Sequence, residues 1–433
     1  MLISSTKMLL RNTIQAEIKS SSRIPGFITP HFEKYSLLNL VASIVSLFSK
    51  EVHSYCPFPA EVFPEKMTAV NKVVLLVIDS LGYHQLLFLL KEDRNLIFNQ
   101  LIEKGIFFPI TSIFPSTTSS ALTSLQTALS PIEHGILGYK IYLQRFGLVA
   151  NLISFRSAGE ENIDLIKCGL EPVQFLGVPT IHQKLAQKGI PSYCFIKKAY
   201  QESGLSQMLH TGSTPSIHVS SSDLFVSLRH LLEQNRDRKM LVYTYWDITD
   251  EMAHTYGPNS EEFAAEVRNF TYSLEREFLD KLDRGIAEQT LLILTADHGQ
   301  TEVSEETSVP LTQHPQLMDN LLLPPTGQHR AVYLYTKQGR TEQVRKYLTE
   351  TFGDAFLILD SERALQEGLF GTNGQPKAET LSRIGDLIVI GTQTHTLFYP
   401  YKRSKPKFTS KGHHGGLSED EMLVPCIVTR LKF

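Results

Sequence analysis

The sequence predicts an α/β protein: a doubly wound, largely parallel sheet with helices on both faces, and a smaller inserted α+β lobe. Continuous aliphatic runs, typical of strands buried on both faces, recur along the chain. Segments with helical periodicity separate them. The composition agrees, since 42% of the 433 residues are hydrophobic and 20% are charged, which supplies apolar material for a large core.

Residues 1–70 are expected to form a helical leader packed on the core. Within it, Ser36–Lys50 carries apolar residues at helical spacing, namely Leu37, Leu40, Val41, Ile44, Val45 and Phe48. This spacing places them on one face and predicts an ordinary packing helix.

Three buried strands are predicted at the centre of the sheet, and aspartates follow each of them closely. The strands and their aspartates are Lys72–Ile78 with Asp79, Met240–Trp246 with Asp247 and Asp250, and Thr290–Thr295 with Asp297. Helical periodicity fills intervals such as Thr180–Lys188 and Glu261–Gly285. Strands that alternate with helices favour a doubly wound sheet.

Residues 301–404 change in pattern and are expected to form an inserted cap or substrate lobe. Arg330–Tyr335 and Ala355–Leu359 are predicted strands, and Thr341–Thr351 between them is a predicted helix. The predicted catalytic α/β domain comprises 71–300 and 405–433. Met422–Thr429 returns to that domain as a further predicted strand.

Charge and cysteine content exclude several classes of protein. Lys and Arg total 42 against 45 Asp and Glu, a net charge of −3, so no basic field favours a nucleic-acid polymer. The four cysteines are scattered without a CxxC pair, which indicates neither a disulfide framework nor a zinc finger. No apolar run reaches the ~18 residues of a membrane span, and residues 1–20 lack a signal-peptide core. We therefore expect a soluble, cytoplasmic protein.

Carboxylates and imidazoles gather after the predicted strands, where ligands bind in open α/β sheets. They are Asp79, Asp250, His254, Asp297 and His298, with His413 and His414 before the last strand. One aspartate after a strand is commonly a turn former or a helix N-cap. Several at matching strand ends, accompanied by histidines, favour a site for zinc or a similar divalent ion. Asp247 is an alternative ligand, although no histidine lies four residues after it.

A Ser/Thr cluster follows Pro115 and leads into a helix-like segment, Ser116-Thr117-Thr118-Ser119-Ser120-Ala121-Leu122. One interpretation is a hydroxyl-rich N-cap and first turn. The other is a hydroxyl nucleophile at a helix N-terminus, where the dipole and the free N–H groups favour a phosphate or an alkoxide.

Together these motifs resemble the alkaline phosphatase superfamily, and in particular its type I phosphodiesterase/nucleotide pyrophosphatase branch. The matching segments, in family order, are Val77-Ile78-Asp79; Pro115-Ser116-Thr117-Thr118, followed after eight intervening residues by Thr127-Ala128-Leu129 and then by His134-Gly135-Ile136; Asp250 and His254 with Gly257-Pro258; Asp297-His298-Gly299; and His414-Gly415. Each motif is short, but five in order from residue 72 onward are specific.

The resemblance implies two divalent metal ions, zinc or alternatively manganese, and a nucleophilic threonine. The ungapped match places the nucleophile on Thr118, with Thr117 as the alternative, and it makes His134 structural. The implied ligands are Asp250, His254 and His414 for one ion, and Asp79, Asp297, His298 and the Thr118 oxygen for the other. His413 competes with His414. Attack on phosphorus would give a phosphothreonine that water then hydrolyses.

One position departs from the family pattern. Diesterase members carry Thr-Phe-Pro-Asn, and this chain has Ala121 at the Asn position. Loss of one such donor typically costs roughly 10²–10³ in rate. The candidates to replace it are Tyr139, Lys140, His329 and Arg330.

The predicted function is hydrolysis of a small-molecule phosphate ester or anhydride. A phosphonate (C–P) hydrolase, or a phosphomonoesterase or transferase, is an alternative on the same site. A phosphate-binding protein on an inactive hydrolase frame is the non-enzymatic alternative. Every expected ligand position and a threonine are present, which favours the enzyme.

Overall fold

The computed structural model describes residues 5–49, 54–64, 69–160, 162–374, 376–401 and 409–431. Within these ranges the strands are β1 (Lys72–Ile78), β2 (Ile106–Thr111), β3 (Lys140–Leu143), β4 (Leu148–Asn151), β5 (Arg156–Ser157), β6 (Ser192–Lys197), β7 (Thr214–His218), β8 (Met240–Trp246), β9 (Thr290–Thr295), β10 (Thr301–Glu302), β11 (Ser308–Pro310), β12 (Thr326–Gln328), β13 (Ala331–Leu334), β14 (Phe356–Asp360), β15 (Leu387–Gly391), β16 (Thr396–Phe398), β17 (Gly412–His413) and β18 (Leu423–Arg430).

The α-helices in the same ranges are α1 (Ser5–Ser20), α2 (Leu37–Ser46), α3 (Tyr83–Glu92), α4 (Ile97–Lys104), α5 (Thr118–Thr127), α6 (Pro131–His134), α7 (Pro172–Leu176), α8 (Ile181–Gln187), α9 (Gly204–Leu209), α10 (Ser221–Gln234), α11 (Ile248–Tyr256), α12 (Glu261–Ser273), α13 (Arg284–Ala287), α14 (Pro315–Met318), α15 (Thr341–Phe352), α16 (Ser361–Gln366), α17 (Ala378–Leu381) and α18 (Glu419–Met422). Short 3₁₀ turns span Lys198–Tyr200, Leu311–Gln313 and Gly353–Ala355, and a π-helical turn spans Leu274–Leu279.

The first sheet contains the predicted central strands. Its order is β2-β18-β9-β1-β8-β6-β7. Neighbours from β9 to β7 pair in parallel, and β18 is antiparallel to both β9 and β2. Strands β1 and β9 are buried along their whole length, as expected for a sheet covered on both faces. The predicted α/β fold class is therefore confirmed, and the carboxyl ends of β8, β1 and β9 lie side by side.

The second sheet is antiparallel throughout, in the order β14-β15-β13-β12-β3-β4-β5. It combines strands from 140–157 with strands from 326–391. Its two halves meet where Gly327 of β12 pairs with Lys140 of β3. The predicted division into 71–300, 301–404 and 405–433 stays a prediction. The second sheet contains strands from both of the first two ranges, 71–300 and 301–404.

Two helices differ from the sequence expectation. Helix α12 ends at Ser273 and continues as the π-helical turn, rather than as one helix to residue 285. Helix α2 is buried on all sides, including Asn39 and Ser43, because α2 packs against α5. The Asn39 amide donates to the Phe32 and Cys56 carbonyls at 3.0 and 2.9 Å, which satisfies its buried polar group.

The leader attaches to the edge of the first sheet. Helix α1 packs on β2, with Ile14 and Ile18 buried. The Lys7 ammonium donates to the carbonyls of Glu103 and Gly105, both at 2.6 Å. Among the described residues, no helix has the length and apolarity needed to cross a bilayer.

Candidate active site

The carboxyl ends of the central strands bring the predicted aspartates together. Asp79 follows β1 directly, and Asp297 follows β9 after a single residue, while Asp250 lies in the first turn of α11 after β8. Asp79 and Asp297 are buried. The Asp79 N–H donates to the Trp246 carbonyl at 2.8 Å, which extends the β1–β8 ladder by one residue and fixes where this carboxylate leaves the sheet.

Two overlapping groups of donor atoms form at this edge. Asp250, His254 and His414 offer one ligand atom each, as do Asp79, Asp250 and His298, and the atoms of each group lie within 4.8 Å of one another. Carboxylate-to-Nε2 distances are 3.5 Å for Asp250–His254, 3.7 Å for Asp250–His414 and 3.6 Å for Asp79–His298. These are too long for hydrogen bonds. They suit donors ~2.0–2.1 Å from one tetrahedral ion, which are about 3.4 Å apart.

The three imidazoles share one orientation. Their Nδ1 atoms lie 2.7 Å (His254 to Gly412), 3.1 Å (His298 to Gly299) and 2.9 Å (His414 to Ser116) from backbone carbonyl oxygens. A carbonyl can only accept, so each Nδ1 carries a hydrogen, and the Nε2 of each ring is directed toward the carboxylates. Burial lowers the pKa of His298 to about 4, so this ring is neutral at pH 7. Anchored, neutral imidazoles of this kind are typical of metal sites.

The carboxylates of Asp79 and Asp297 are buried close together, and few hydrogen-bond donors from the described residues surround them. Burial and the charges of Asp297 and Asp250 raise the pKa of Asp79 well above its usual range, and burial also raises that of Asp297. Asp297 Oδ1 accepts the N–H groups of Ser80 and His298. Its Oδ2 is buried 3.4 Å from His298 Nε2 and accepts no hydrogen bond from the described residues. Such an oxygen is costly without a compensating cation, so the donor set fits divalent ions.

Thr118 is the first residue of α5, with Thr117 as its N-cap. Its Oγ1 lies 3.1 Å from His298 Nε2, and the residue is 8% exposed. The hydroxyl therefore sits at the positive end of the helix and next to the imidazole lone pair. Thr117 Oγ1 instead accepts a hydrogen bond from the Gln328 amide, so the two adjacent threonines face different partners.

The structure also separates the other adjacent alternatives. Asp247 accepts from Lys197 Nζ at 2.9 Å and from the Tyr200 hydroxyl at 2.6 Å. His413 Nε2 lies 3.0 Å from His329 Nδ1, whereas His414 faces Asp250. Asp247 and His413 are therefore engaged with other side chains, whereas Asp250 and His414 belong to the groups of possible metal-ligand atoms.

His134 is the last residue of the short helix α6, which follows α5. Its Nδ1 accepts the Ile136 N–H at 3.0 Å, and its Nε2 lies 3.0 Å from Ser124 Oγ. Both contacts are local, which agrees with a structural role.

The four candidates to replace the missing asparagine have different surroundings. Arg330 is fully buried in an ion pair with Glu421, and His329 is paired with His413. The Tyr139 hydroxyl accepts from Asn151 at 2.6 Å. Lys140 makes no hydrogen bond or ion pair with the described residues, and only aromatic rings flank its ammonium. Ala121 itself is buried inside α5.

Three residues that support the site were not identified from the sequence. The Tyr245 hydroxyl donates to Asp79 Oδ2. Ser80 Oγ and Gln300 Nε2 both donate to Asp250 Oδ1, at 2.5 and 2.6 Å. Ser80 and Gln300 adjoin the Asp79 and Asp297-His298-Gly299 motifs, which is a usable signal. Tyr245 lies within β8 and has no comparable signal.

A cavity of about 180 Å³ opens beside the donor atoms. It touches Asp79, Thr118 and Asp250. Much of its wall is apolar, with Leu122, Ile153, Phe195, Leu205 and Leu209, and Tyr200, Tyr243, Tyr245 and His210 add polar groups. Its largely apolar wall and few polar groups are typical of a small-molecule binding site.

The fold and this donor set define a phosphoester hydrolase with an alkaline-phosphatase-like architecture. The chain belongs to the type I phosphodiesterase/nucleotide pyrophosphatase family, whose family model matches residues 73–417. The resemblance read from the motifs is thereby confirmed, as is the expectation of an enzyme. A search of curated protein sequences gives no match.

Solved structures share the fold at low sequence identity. Murine ectonucleotide pyrophosphatase/phosphodiesterase 5 has a TM-score of 0.63 at 15% identity, covering 83% of this chain and 88% of that chain. An inactive variant of the murine protein in complex with AMP has a TM-score of 0.62 at 15% identity and the same coverage. Phosphonoacetate hydrolase from Sinorhizobium meliloti 1021, in complex with phosphonoacetate, has a TM-score of 0.61 at 18% identity, covering 84% and 91%.

Proposed function

We propose that this chain hydrolyses phosphate esters or anhydrides through a covalent phosphothreonine on Thr118, with two divalent metal ions. The observation that supports this proposal most directly is the position of Thr118 Oγ1. It lies at a helix N-terminus, 3.1 Å from His298 Nε2, and Thr118 lines the same cavity as the carboxylates of Asp79 and Asp250. Membership of the phosphodiesterase family supports the reaction class.

The proposed ligands are Asp250, His254 and His414 for one ion, and Asp79, Asp297, His298 and the Thr118 oxygen for the other. Asp250 is a member of both groups of ligand atoms, so its carboxylate would be available to either ion. Mixed carboxylate and imidazole donors suit zinc and also manganese. When bound, such ions lower the pKa of a coordinated hydroxyl and neutralise charge on the phosphoryl oxygens.

The chain's own groups then account for positioning. The Thr118 oxygen forms a bond to phosphorus as the bond to the leaving group breaks, and water later cleaves the Thr118–phosphate bond. The first N–H groups of α5 have no acceptor within the helix, so they would be available to donate to phosphoryl oxygens held at Thr118. The leaving group or the remaining ester occupies the cavity beside Thr118.

The substrate class is a small-molecule phosphate ester or anhydride. The murine relative crystallised with AMP favours a nucleotide ester as the first candidate. Hydrolysis of a phosphonate C–P bond is the second candidate, favoured by the similarity to phosphonoacetate hydrolase over 84% of this chain. The cytoplasmic location stays a prediction.

The first test combines metal content with turnover. Elemental analysis of untagged protein should find about two transition-metal equivalents, and bis-p-nitrophenyl phosphate should be cleaved faster than p-nitrophenyl phosphate. Preference for the monoester would replace the diesterase proposal by a phosphatase. Absence of any bound or restorable metal would overturn the two-metal mechanism.

A further inference from the structure

Lys140 lies at the junction of the two halves of the second sheet, beside the start of α5. It is the first residue of β3 and pairs with Gly327 of β12. The neighbouring Gly138 carbonyl accepts from Ser119 Oγ at 3.0 Å, and Gln328 donates to Thr117. The β3–β12 junction therefore forms a wall over the N-terminus of the nucleophile helix.

The Lys140 side chain lies on the face of β3 away from the core. Alternate residues of the strand, Ile141 and Leu143, are buried in the core, while Lys140 and Tyr142 are half-buried. The ammonium lies over two aromatic rings, 5.2 Å from the centre of the Tyr139 ring and 5.5 Å from that of Tyr401. Aromatic faces stabilise a cation but provide no hydrogen-bond acceptor.

No described carboxylate or carbonyl satisfies this ammonium, although the side chain is half-buried. Desolvation alone lowers the pKa of Lys140 to about 8, so the group is still mainly a cation at pH 7. By contrast, Lys197 at the cavity is paired with Asp247 at 2.9 Å. Within the described part of the chain, Lys140 is thus a preorganised cation beside the site without an anionic partner.

The surroundings place Lys140 on the side of the site formed by the late histidines. Burial, followed by the charge of Lys140, lowers the pKa of His329 well below its usual range, so the two groups are close. His329 contacts His413, and the His413 ring centre lies 5.0 Å from that of His254. Lys140 does not line the cavity beside Thr118.

We propose that Lys140 binds a second anionic group of the substrate, a carboxylate or a further phosphate, while the reacting phosphoryl group lies at Thr118. This inference rests on the proposed function and narrows its substrate class. The substrate would be a phosphate ester, anhydride or phosphonate that carries another oxyanion. A charge-assisted contact with Lys140 would fix its orientation.

Calorimetric titration of the metal-loaded protein tests this without turnover. The ligand pairs are phosphonoacetate with phosphonoacetamide, and 3-phosphonopropionate with its amide, which differ only in the second charge. Methylenediphosphonate, with metal in excess, tests a phosphonate in place of the carboxylate. For the wild type we expect at least one acid to bind about tenfold more tightly than its amide.

The ratio of the Kd of the acid to the Kd of its amide, measured in Lys140 variants, tests whether Lys140 binds the second negative charge of the ligand. Lys140→Met and Lys140→Gln should bring the ratio close to one, and Lys140→Arg should keep most of it. The exposed Lys337→Met serves as the matched control and should leave the ratio unchanged. A ratio near one in the wild type, or an unchanged ratio in folded Lys140→Met or Lys140→Gln, would overturn the proposal.

The same protein samples distinguish failure of this inference from failure of the proposed function. Cleavage of bis-p-nitrophenyl phosphate by the wild type, together with equal binding of acid and amide, would remove only the Lys140 site. A Lys140-dependent preference for the acid without any ester cleavage would retain the anion site and reject the hydrolase.

Discussion

Thr117 and Thr118 are adjacent, but their hydroxyls face different partners. The Thr118 hydroxyl faces His298, whereas the Thr117 hydroxyl faces Gln328. We predict that Thr118→Ala lowers turnover of bis-p-nitrophenyl phosphate by at least about 10³-fold, because the group that bonds to phosphorus is lost. Metal content and thermal stability should change little. Thr117→Ala is the matched control and should keep most of the activity. If Thr117→Ala is the inactive variant, the nucleophile is one residue earlier.

His413 and His414 are likewise adjacent but face different partners. We predict that His414→Ala loses one metal equivalent by elemental analysis, because its Nε2 faces Asp250. His413→Ala should keep both equivalents, since its Nε2 faces His329. Retention of both ions in His414→Ala would assign the ligand to His413.

Tyr245 acts on the site through Asp79. Its hydroxyl donates to Asp79 Oδ2 and so orients the carboxylate whose other oxygen faces His298. We predict that Tyr245→Phe weakens metal affinity about 10–100-fold, as removal of such supporting groups usually does. Competition with a chelator of known affinity measures it. Tyr243→Phe, two residues earlier in β8, is the control and should leave the metal affinity unchanged.

Helix α5 carries a local conflict at its C-terminus. Ala128 caps the helix at φ +59°, a left-handed conformation that costs a residue with a Cβ about 1–2 kcal/mol. We predict that Ala128→Gly raises the free energy of unfolding by about 0.5–1 kcal/mol, after the larger backbone entropy of glycine in the unfolded chain is subtracted.

Denaturant titration checks this prediction. Ala186→Gly, in the exposed part of α8, is the matched control and should lose about 0.5–1 kcal/mol, because its backbone is right-handed and gains nothing from glycine. Destabilisation of equal size in both variants would contradict the argument from φ.

The two sheets are joined by a buried ion pair. Arg330, between β12 and β13, contacts both Glu421 oxygens at 3.2 and 2.9 Å, and both side chains are fully buried. Glu421 also accepts the N–H groups of Gly416 and Ser418, in the loop that begins with His414. The pair thus fixes the second sheet, the start of β18 and a proposed metal ligand relative to one another.

We predict that Glu421→Gln lowers the free energy of unfolding by about 3–5 kcal/mol, because it leaves the buried Arg330 charge unpaired. Denaturant titration measures the loss. The exposed Arg284–Glu288 pair provides the control, since Glu288→Gln should cost less than about 0.5 kcal/mol. A loss below 1 kcal/mol in Glu421→Gln would show that the pair does not hold the sheets together.

The same pair predicts a dependence of stability on pH. Burial raises the pKa of Glu421, but the Arg330 charge and the hydrogen bonds outweigh it and hold this pKa below its usual range. The pKa of Glu421 is lower in the folded protein than in the unfolded chain. The contribution of the ionised carboxylate to the free energy of unfolding is therefore fully present above about pH 4.5. It is lost as the pH falls through the folded value. Glu421→Gln should therefore show a shallower acid-induced loss of stability than the wild type, as followed by circular dichroism.

Much of the fold follows from local sequence patterns. Continuous aliphatic runs gave β1, β8 and β9 nearly to the residue, because a strand buried on both faces needs apolar side chains at every position. The second sheet was less accessible. Its strands β3 and β12 are short and pair across almost 190 positions of chain, and no local periodicity records such a partner.

The candidate site divides in the same way. Residue type and strand-end position were sufficient to single out the aspartates and histidines, because their chemistry and their place after a strand are both local properties. The residues alone did not decide between Thr117 and Thr118 or between His413 and His414, and no local signal marked Tyr245. His414 illustrates the reason. Its Nδ1 is fixed by the Ser116 carbonyl, 298 positions earlier, and only long-range packing decides which side chain a given carbonyl or carboxylate meets.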